Sequence, residues 1–252
     1  AAIAIERTQF LSDREAAELV KQKADLAATL LASLSHDLRT PLTAIKVAVE
    51  NLGGELTRDE RQMQSSAASS EIDRLTRLFQ DILDMARIDS AAIQVDRQWV
   101  TPADVVDAAM AHVRLTLVGR TVRVDADMDH EVDIDPRLVS VALSHVLENA
   151  AQYSPPAGEI LVEARTDDAG LHIAVTDQGP GLDPSELDHL FERFYRGRSA
   201  QQGTFGTGMG LSITRGLLAA AGGRVWAENV PGAGARFSVV VPGSVRHVAA
   251  LP

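Results

Sequence analysis

The chain has 252 residues, 45% of them hydrophobic and 23% charged, a texture suited to a globular protein with two modest cores. It contains no cysteine, which excludes disulfides, thiolate metal sites and cysteine nucleophiles. Lys+Arg number 24 against 35 Asp+Glu, and the net charge of −11 disfavours nucleic acid and anionic lipid as partners.

Residues 1–22 read as a linker helix, and 23–91 as a helical hairpin. From Leu26 the apolar positions run Leu30, Leu34, Leu38, Leu42, Ile45, Val49 and Leu52, in steps of three and four that predict one long amphipathic helix. Gly53-Gly54 is expected to end it through left-handed backbone. Thr57 and Glu60 then form a capping box that opens a second helix. This helix carries Met63, Ile72, Leu75, Phe79, Ile82 and Ala86 and fades at Asp89-Ser90. Two such helices bury little alone, so a second copy completing a four-helix bundle, a homodimer, is expected.

The texture changes near Ser90–Ile93, and residues 92–243 alternate strands with helices. Residues 93–100 read as a strand. Thr101-Pro102 with Asp104 opens a helix to about Leu117, and Thr121–Asp127 alternates like a strand. Asp135-Pro136 starts a helix to about Tyr153. Glu159–Arg165 and Leu171–Thr176 flank a hairpin turn at Asp167–Gly170. A glycine-rich stretch, 203–210, leads into helix 211–221, strands 224–228 and 235–241 follow, and 244–252 is a tail. The fold class is α+β: a helical hairpin followed by a sandwich of mixed sheet and one helical layer.

Chemistry concentrates first in Ser35-His36-Asp37-Leu38-Arg39-Thr40-Pro41-Leu42. At about 100° per residue His36 lies about 200° from Leu34 and Leu38, off the apolar stripe, on a small polar face with Thr29, Ser33, Thr40 and Thr43. Asp37 can accept a proton or hold the ring tautomer that leaves the other nitrogen nucleophilic. Pro41 lacks the N–H that would bond to the carbonyl of Asp37, which loosens the helix there. An exposed histidine alone is ordinarily just solvated.

That octet resembles the phosphoacceptor box of sensor histidine kinases, and four further segments in the same order look like that family. His145–Tyr153 (HVLENAAQY) is similar to its N box. Asp177-Gln178-Gly179-Pro180-Gly181 matches DxGxG, Phe191-Glu192-Arg193-Phe194 the F box, and Gly206-Thr207-Gly208-Met209-Gly210-Leu211 the second glycine box. The opening AIAIER before ASLSHDLRTPLTAI further resembles the potassium-responsive Kdp-type sensor kinases. The resemblance implies a histidine-kinase/gyrase/Hsp90-like ATP-binding domain, with ATP and Mg²⁺ as cofactors.

The residues themselves suit these roles. His145, Glu148, Asn149 and Gln152 fall on one side of their helix, opposite Val139, Leu143, Val146 and Ala150. The Asn149 carbonyl oxygen suits Mg²⁺, a hard cation that also takes phosphate oxygens; by resemblance Asn149 is its ligand and Tyr153 packs on adenine. Asp177 can accept from the adenine amine, while Gly179 and Gly181 let the base approach the backbone. Gly206, Gly208 and Gly210 precede a helix whose N–H groups can cradle phosphate, although no Walker pattern occurs. Arg193, Arg196 and Arg198 can neutralise it, and Phe191 and Phe194 read as anchors of a mobile lid. His145 replaces the family's usual asparagine and Gln152 its frequent lysine.

The expectation is therefore an ATP-dependent protein-histidine kinase. The γ-phosphoryl passes to His36, with Asp37 as acid–base partner, and onward to an aspartate of a response-regulator protein. Thr40 would position water for the reverse phosphatase activity. The alternatives are an ATPase or serine kinase of the same superfamily, or a weakly catalytic dimerisation and docking module. The chain reads as the cytoplasmic C-terminal piece of a longer receptor, meeting a membrane only through regions absent from it.

Overall fold

The computed structural model describes residues 38–90, 92–197 and 207–248. The chain divides into two compact units, residues 1–79 and 80–252.

In the first unit α1 is helical over residues 38–52, and α2 begins at Arg58 of Arg58–Asp89. The turn between them is closed by Gly53 N–H donating to the Glu50 carbonyl (3.2 Å) and Gly54 N–H to that of Asn51 (3.0 Å). Neither glycine has positive φ, contrary to the expected left-handed ending, because these i→i+3 bonds already tighten the last turn. The capping box forms: Glu60 N–H donates to Thr57 Oγ1 (3.3 Å), and Glu60 Oε2 accepts from Thr57 N–H (2.9 Å). Ala48, Ala68 and Leu78 are buried, whereas Leu42, Val49, Met63, Ile72 and Phe79 are each more than half exposed. Two helices cover only a narrow seam, so much of the expected apolar stripe stays open in a single chain.

The second unit starts within α2, at Gln80. It continues through β1 (Gln98–Val100), α3 (Pro102–His112), β2 (Thr121–Ala126), β3 (His130–Ile134), α4 (Pro136–Tyr153), β4 (Glu159–Asp167) and β5 (Gly170–Thr176). Then come α5 (Gly210–Ala220), β6 (Arg224–Asn229), β7 (Ala235–Pro242) and β8 (Val245–His247). Five strands form a mixed sheet in the order β2-β4-β5-β7-β6, in which β2 and β4 are parallel and the other pairs antiparallel. Period-two alternation buries Ile160, Val162 and Ala164 of β4 and Ala235, Phe237, Val239 and Val241 of β7. Against them pack the apolar stripes of α3, α4 and α5, with Val105, Val139, Val146, Ile213 and Leu218 fully buried. Each such large side chain contributes about 1.5–3 kcal/mol of burial.

Local chemistry sets the helix starts. At the predicted helix start Thr101 and Asp104 make a capping box, and Asp135 caps α4 by accepting from the N–H groups of Arg137 and Leu138. Asp135 also accepts from Asp96 N–H (2.8 Å), fastening the preceding segment to α4. Three elements differ from the sequence reading. Helix α3 ends at His112, not near Leu117, and gives way to turns that leave Leu115 and Val118 exposed. Only Gln98–Val100 of the stretch 93–100 is strand. A second, three-stranded sheet, β1-β3-β8, was not foreseen; it uses polar HEVDI as its centre and a segment read as tail as one edge. No helix among the described residues is long and apolar enough to cross a membrane.

Candidate functional site

Asp177 follows the last residue of β5, and its carboxylate is 3% exposed. Its Oδ1 accepts two backbone N–H groups, from Gly179 (2.8 Å) and Ala235 (3.1 Å). Burial pushes its pKa up, against the opposing pull of those two bonds. With Oδ1 occupied, Oδ2 is the oxygen left to accept a ligand's amine. Gly234 makes this cradle feasible: a Cβ there would collide with Asp177 Oδ1 and lie 2.5 Å from Gly179 N. Gly234 N–H also donates to the Asp177 carbonyl, and Asp177 N–H to that of Ala235 (both 2.9 Å). A Cβ on Gly179 would lie 2.9 Å from the Tyr153 carbonyl, so the end of α4 abuts the DxGxG turn. Beside it, Asn229 holds both backbone groups of Leu182 (2.7 Å each) and approaches Gly181. The sequence reading missed Gly234 and Asn229, because PGAGA between two strands looks like an ordinary hairpin loop.

On α4 the strip His145, Glu148, Asn149 and Gln152 is half-buried, while Val139, Leu143, Val146 and Ala150 face the core as predicted. The His145 ring is 11% exposed and sits between carboxylates, with Nε2 3.7 Å from Asp81 and Nδ1 3.8 Å from Glu148. Burial pulls its pKa down, but donation from the ring to the Glu148 carboxylate and the charges of Asp81, Glu148 and Asp84 together raise it. These carboxylates hold the imidazole more readily protonated than a free one, an environment the sequence did not announce because Asp81 and Asp84 lie in α2. Asn149, next to Glu148, offers a hard oxygen donor beside an anionic one, a donor set that fits Mg²⁺ completed by phosphate and water. Tyr153 is half-buried; burial raises its pKa, opposed by the positive charge of Arg196.

The F and glycine boxes meet through their backbones. Phe194 N–H donates to the Gly208 carbonyl (2.9 Å), and a Cβ on Gly208 would lie 2.8 Å from the Tyr195 carbonyl. Phe194 holds φ at 61°, a strained conformation for a non-glycine residue, of the kind that clusters at ligand clamps. Phe191 is buried, in keeping with an anchor. The Met209 side chain is 1% exposed, so only its backbone can face a ligand; its N–H donates to Thr207 Oγ1 (3.2 Å). Gly210 packs on His145, a Cβ there lying 3.3 Å from Nδ1. Helix α5 has no side-chain cap, so the first N–H groups, at Gly210 and Leu211, are suited to an anion. Arg193 is committed elsewhere: its guanidinium grips the Asp89 carboxylate with both terminal nitrogens, Nη1 at 2.8 Å.

His36, Asp37, Gly206 and Arg198 lie outside the described residues. Thr40 belongs to the first unit, exposed on α1. There it lines a groove of about 560 Å³ with Arg39, Thr43, Val47, Ala48 and Gln64.

Two families match the chain. Residues 27–91 match the His Kinase A (phospho-acceptor) domain, and 134–245 the histidine kinase-, DNA gyrase B-, and HSP90-like ATPase. Sensor protein KdpD of Escherichia coli (strain K12) is 32% identical over 244 residues, 95% of this chain and 27% of that protein. Sensor histidine kinase WalK of Bacillus subtilis (strain 168) is 29% identical over 219 residues, 84% of this chain and 36% of that protein. The chain thus spans about a quarter to a third of the length of these relatives. Among solved structures, full-length ShkA in complex with AMPPNP has a TM-score of 0.62 at 27% identity, covering 86% of this chain and 46% of that one. Mycobacterial sensor histidine kinase MprB gives 0.52 at 29% identity, covering 58% of this chain and 99% of that one.

Proposed function

We propose that this chain, which belongs to the sensor histidine kinases of two-component systems, autophosphorylates on His36 and passes the phosphoryl group to an aspartate of a response-regulator protein. The observation that carries this reading is the Asp177 cradle, a buried carboxylate with one oxygen saturated and the other left for an amine, in a domain of the ATP-using family. Asp177 Oδ2 accepts the adenine amine, with Gly179 and Gly181 bringing backbone close to the base. Asn149 holds Mg²⁺, which screens phosphate charge when bound. The N–H groups at the start of α5 receive the phosphates, and Arg196 supplies positive charge beside Tyr153.

In the transfer a ring nitrogen of His36 attacks the γ-phosphorus, the bond from phosphorus to the β,γ-bridging oxygen breaks, and ADP leaves. Asp37 accepts the proton released from the ring. Thr40, one turn on, orients water for the reverse hydrolysis. The His Kinase A domain indicates dimerisation and a response-regulator partner. The open apolar faces of α1 and α2 make the hairpin the surface through which two chains join. ATP as phosphoryl donor fits a cytoplasmic setting.

The test is incubation with Mg·[γ-³²P]ATP followed by acid and base treatment. Wild type should take up acid-labile, base-stable label. His36→Gln should take up none yet bind ATP normally, and Asn149→Ala should lose both. Acid-stable label, or acid-labile label on His36→Gln, overturns the assignment.

A further inference from the structure

We propose that His130 and His247 form a two-imidazole site for a borderline transition-metal dication such as Ni²⁺, Zn²⁺ or Cu²⁺, on strands that carry none of the residues assigned to nucleotide or phosphoacceptor. The antiparallel register of β3 and β8 sets His130 directly opposite His247, and the ring centroids lie 4.1 Å apart, tilted by 42°. The next register pair, Glu131 and Arg246, points to the other face. There Arg246 binds the Glu131 carboxylate (2.6 Å) and stacks over Trp99 at 4.1 Å. The charged partners are thus on one face, and the imidazoles meet on the other.

Asp127 prepares His130 as a ligand. Its Oδ2 contacts His130 Nδ1 at 2.8 Å and accepts the Thr166 hydroxyl at 3.1 Å, while Oδ1 accepts Asp129 N–H at 2.8 Å. A carboxylate oxygen at Nδ1 selects the neutral tautomer with its proton there, which leaves the Nε2 lone pair for an ion. This carboxylate–histidine pairing is the arrangement that orients metal-binding imidazoles and raises their basicity. His247 is exposed and makes no side-chain hydrogen bond to a described residue, so its nitrogens are open to an ion. Two nitrogens at about 2.0–2.1 Å from one tetrahedral ion lie about 3.3 Å apart, within reach of rings spaced like these. No group of three or more acidic or histidine ligands occurs among the described residues, so water completes the shell and affinity is modest. Imidazole selects borderline ions over Mg²⁺.

Calorimetric titration of the nucleotide-free chain with NiCl₂, in 1 mM MgCl₂ at pH 7.5, tests this. Wild type should bind one equivalent that His247→Ala loses or binds at least tenfold more weakly. Asp127→Asn, which keeps both imidazoles, should lose ten- to a hundredfold. His112→Ala, an exposed histidine elsewhere, should titrate as wild type. Ni²⁺ should raise the melting temperature of wild type but not of His247→Ala, because the ion fastens β8 to β3. Absence of binding by wild type, or unchanged titration of either His247→Ala or Asp127→Asn, overturns the proposal.

Discussion

An imidazole beside three carboxylates carries a pH dependence of defined sign. The pKa of His145 is raised above its ordinary 6.5, with burial working against Glu148, Asp81 and Asp84. A group whose folded pKa is raised contributes stability that is full below the unfolded pKa and is lost as pH climbs through the folded one. Replacing His145 by Asn should therefore lower the melting temperature most near pH 6. The gap between wild type and variant should close as pH rises through the raised pKa, measured by thermal denaturation across pH 6–9. The helical spacing placed His145 on the polar strip with Asn149, but its partners Asp81 and Asp84 were beyond any local pattern. They stand more than 60 residues earlier, and only the tertiary fold brings them to the ring.

At the scale of elements, DxGxG works because a second hairpin supports it. The β6–β7 loop supplies Gly234 and Ala235, whose backbone holds Asp177. Gly234→Ala drives a methyl into Asp177 Oδ1 and the backbone of Gly179, neither of which can swing aside. It should cost about 1–3 kcal/mol of stability. It should also weaken nucleotide binding, measured by denaturant titration alongside ATP calorimetry. The capping box at Thr57, the helix start at Thr101-Pro102 and the proline start of α4 were readable because each is a local device with fixed spacing. Strand β3 was not. HEVDI has two apolar residues in five, and its strand character comes from partners on both sides. The arginine knot was legible as charge but not as connection, since Arg193 finds Asp89, 104 positions earlier. Both side chains are more than a third exposed, so that pair contributes at most about 1 kcal/mol and less at high salt.

Across the whole molecule, the two units differ in how complete they are within one chain. The second has a closed core with fully buried residues from both layers, whereas the first leaves Leu42, Val49, Met63, Ile72 and Phe79 more than half exposed. Ile72→Asp places a charge on that open face without disturbing a buried contact. It should shift sedimentation from dimer to monomer while ATP affinity stays within twofold of wild type. The open apolar face was legible in the sequence as steps of three and four, although that spacing alone describes a plain coiled-coil spacer as well as a dimer.

The small sheet has a practical corollary. Strands β1 and β8, near the beginning and end of the ATP-binding half, flank the same strand β3. Gln98 is paired with Ile134 and His247 with His130, which puts them two strand spacings across and four residues along, about 17 Å apart. Six or seven extended residues would bridge that distance. Rejoining those ends and opening new ones at the Asp168-Ala169 turn would make a circular permutant that keeps every strand pairing, a route to relocating fusion points without touching the Asp177 cradle.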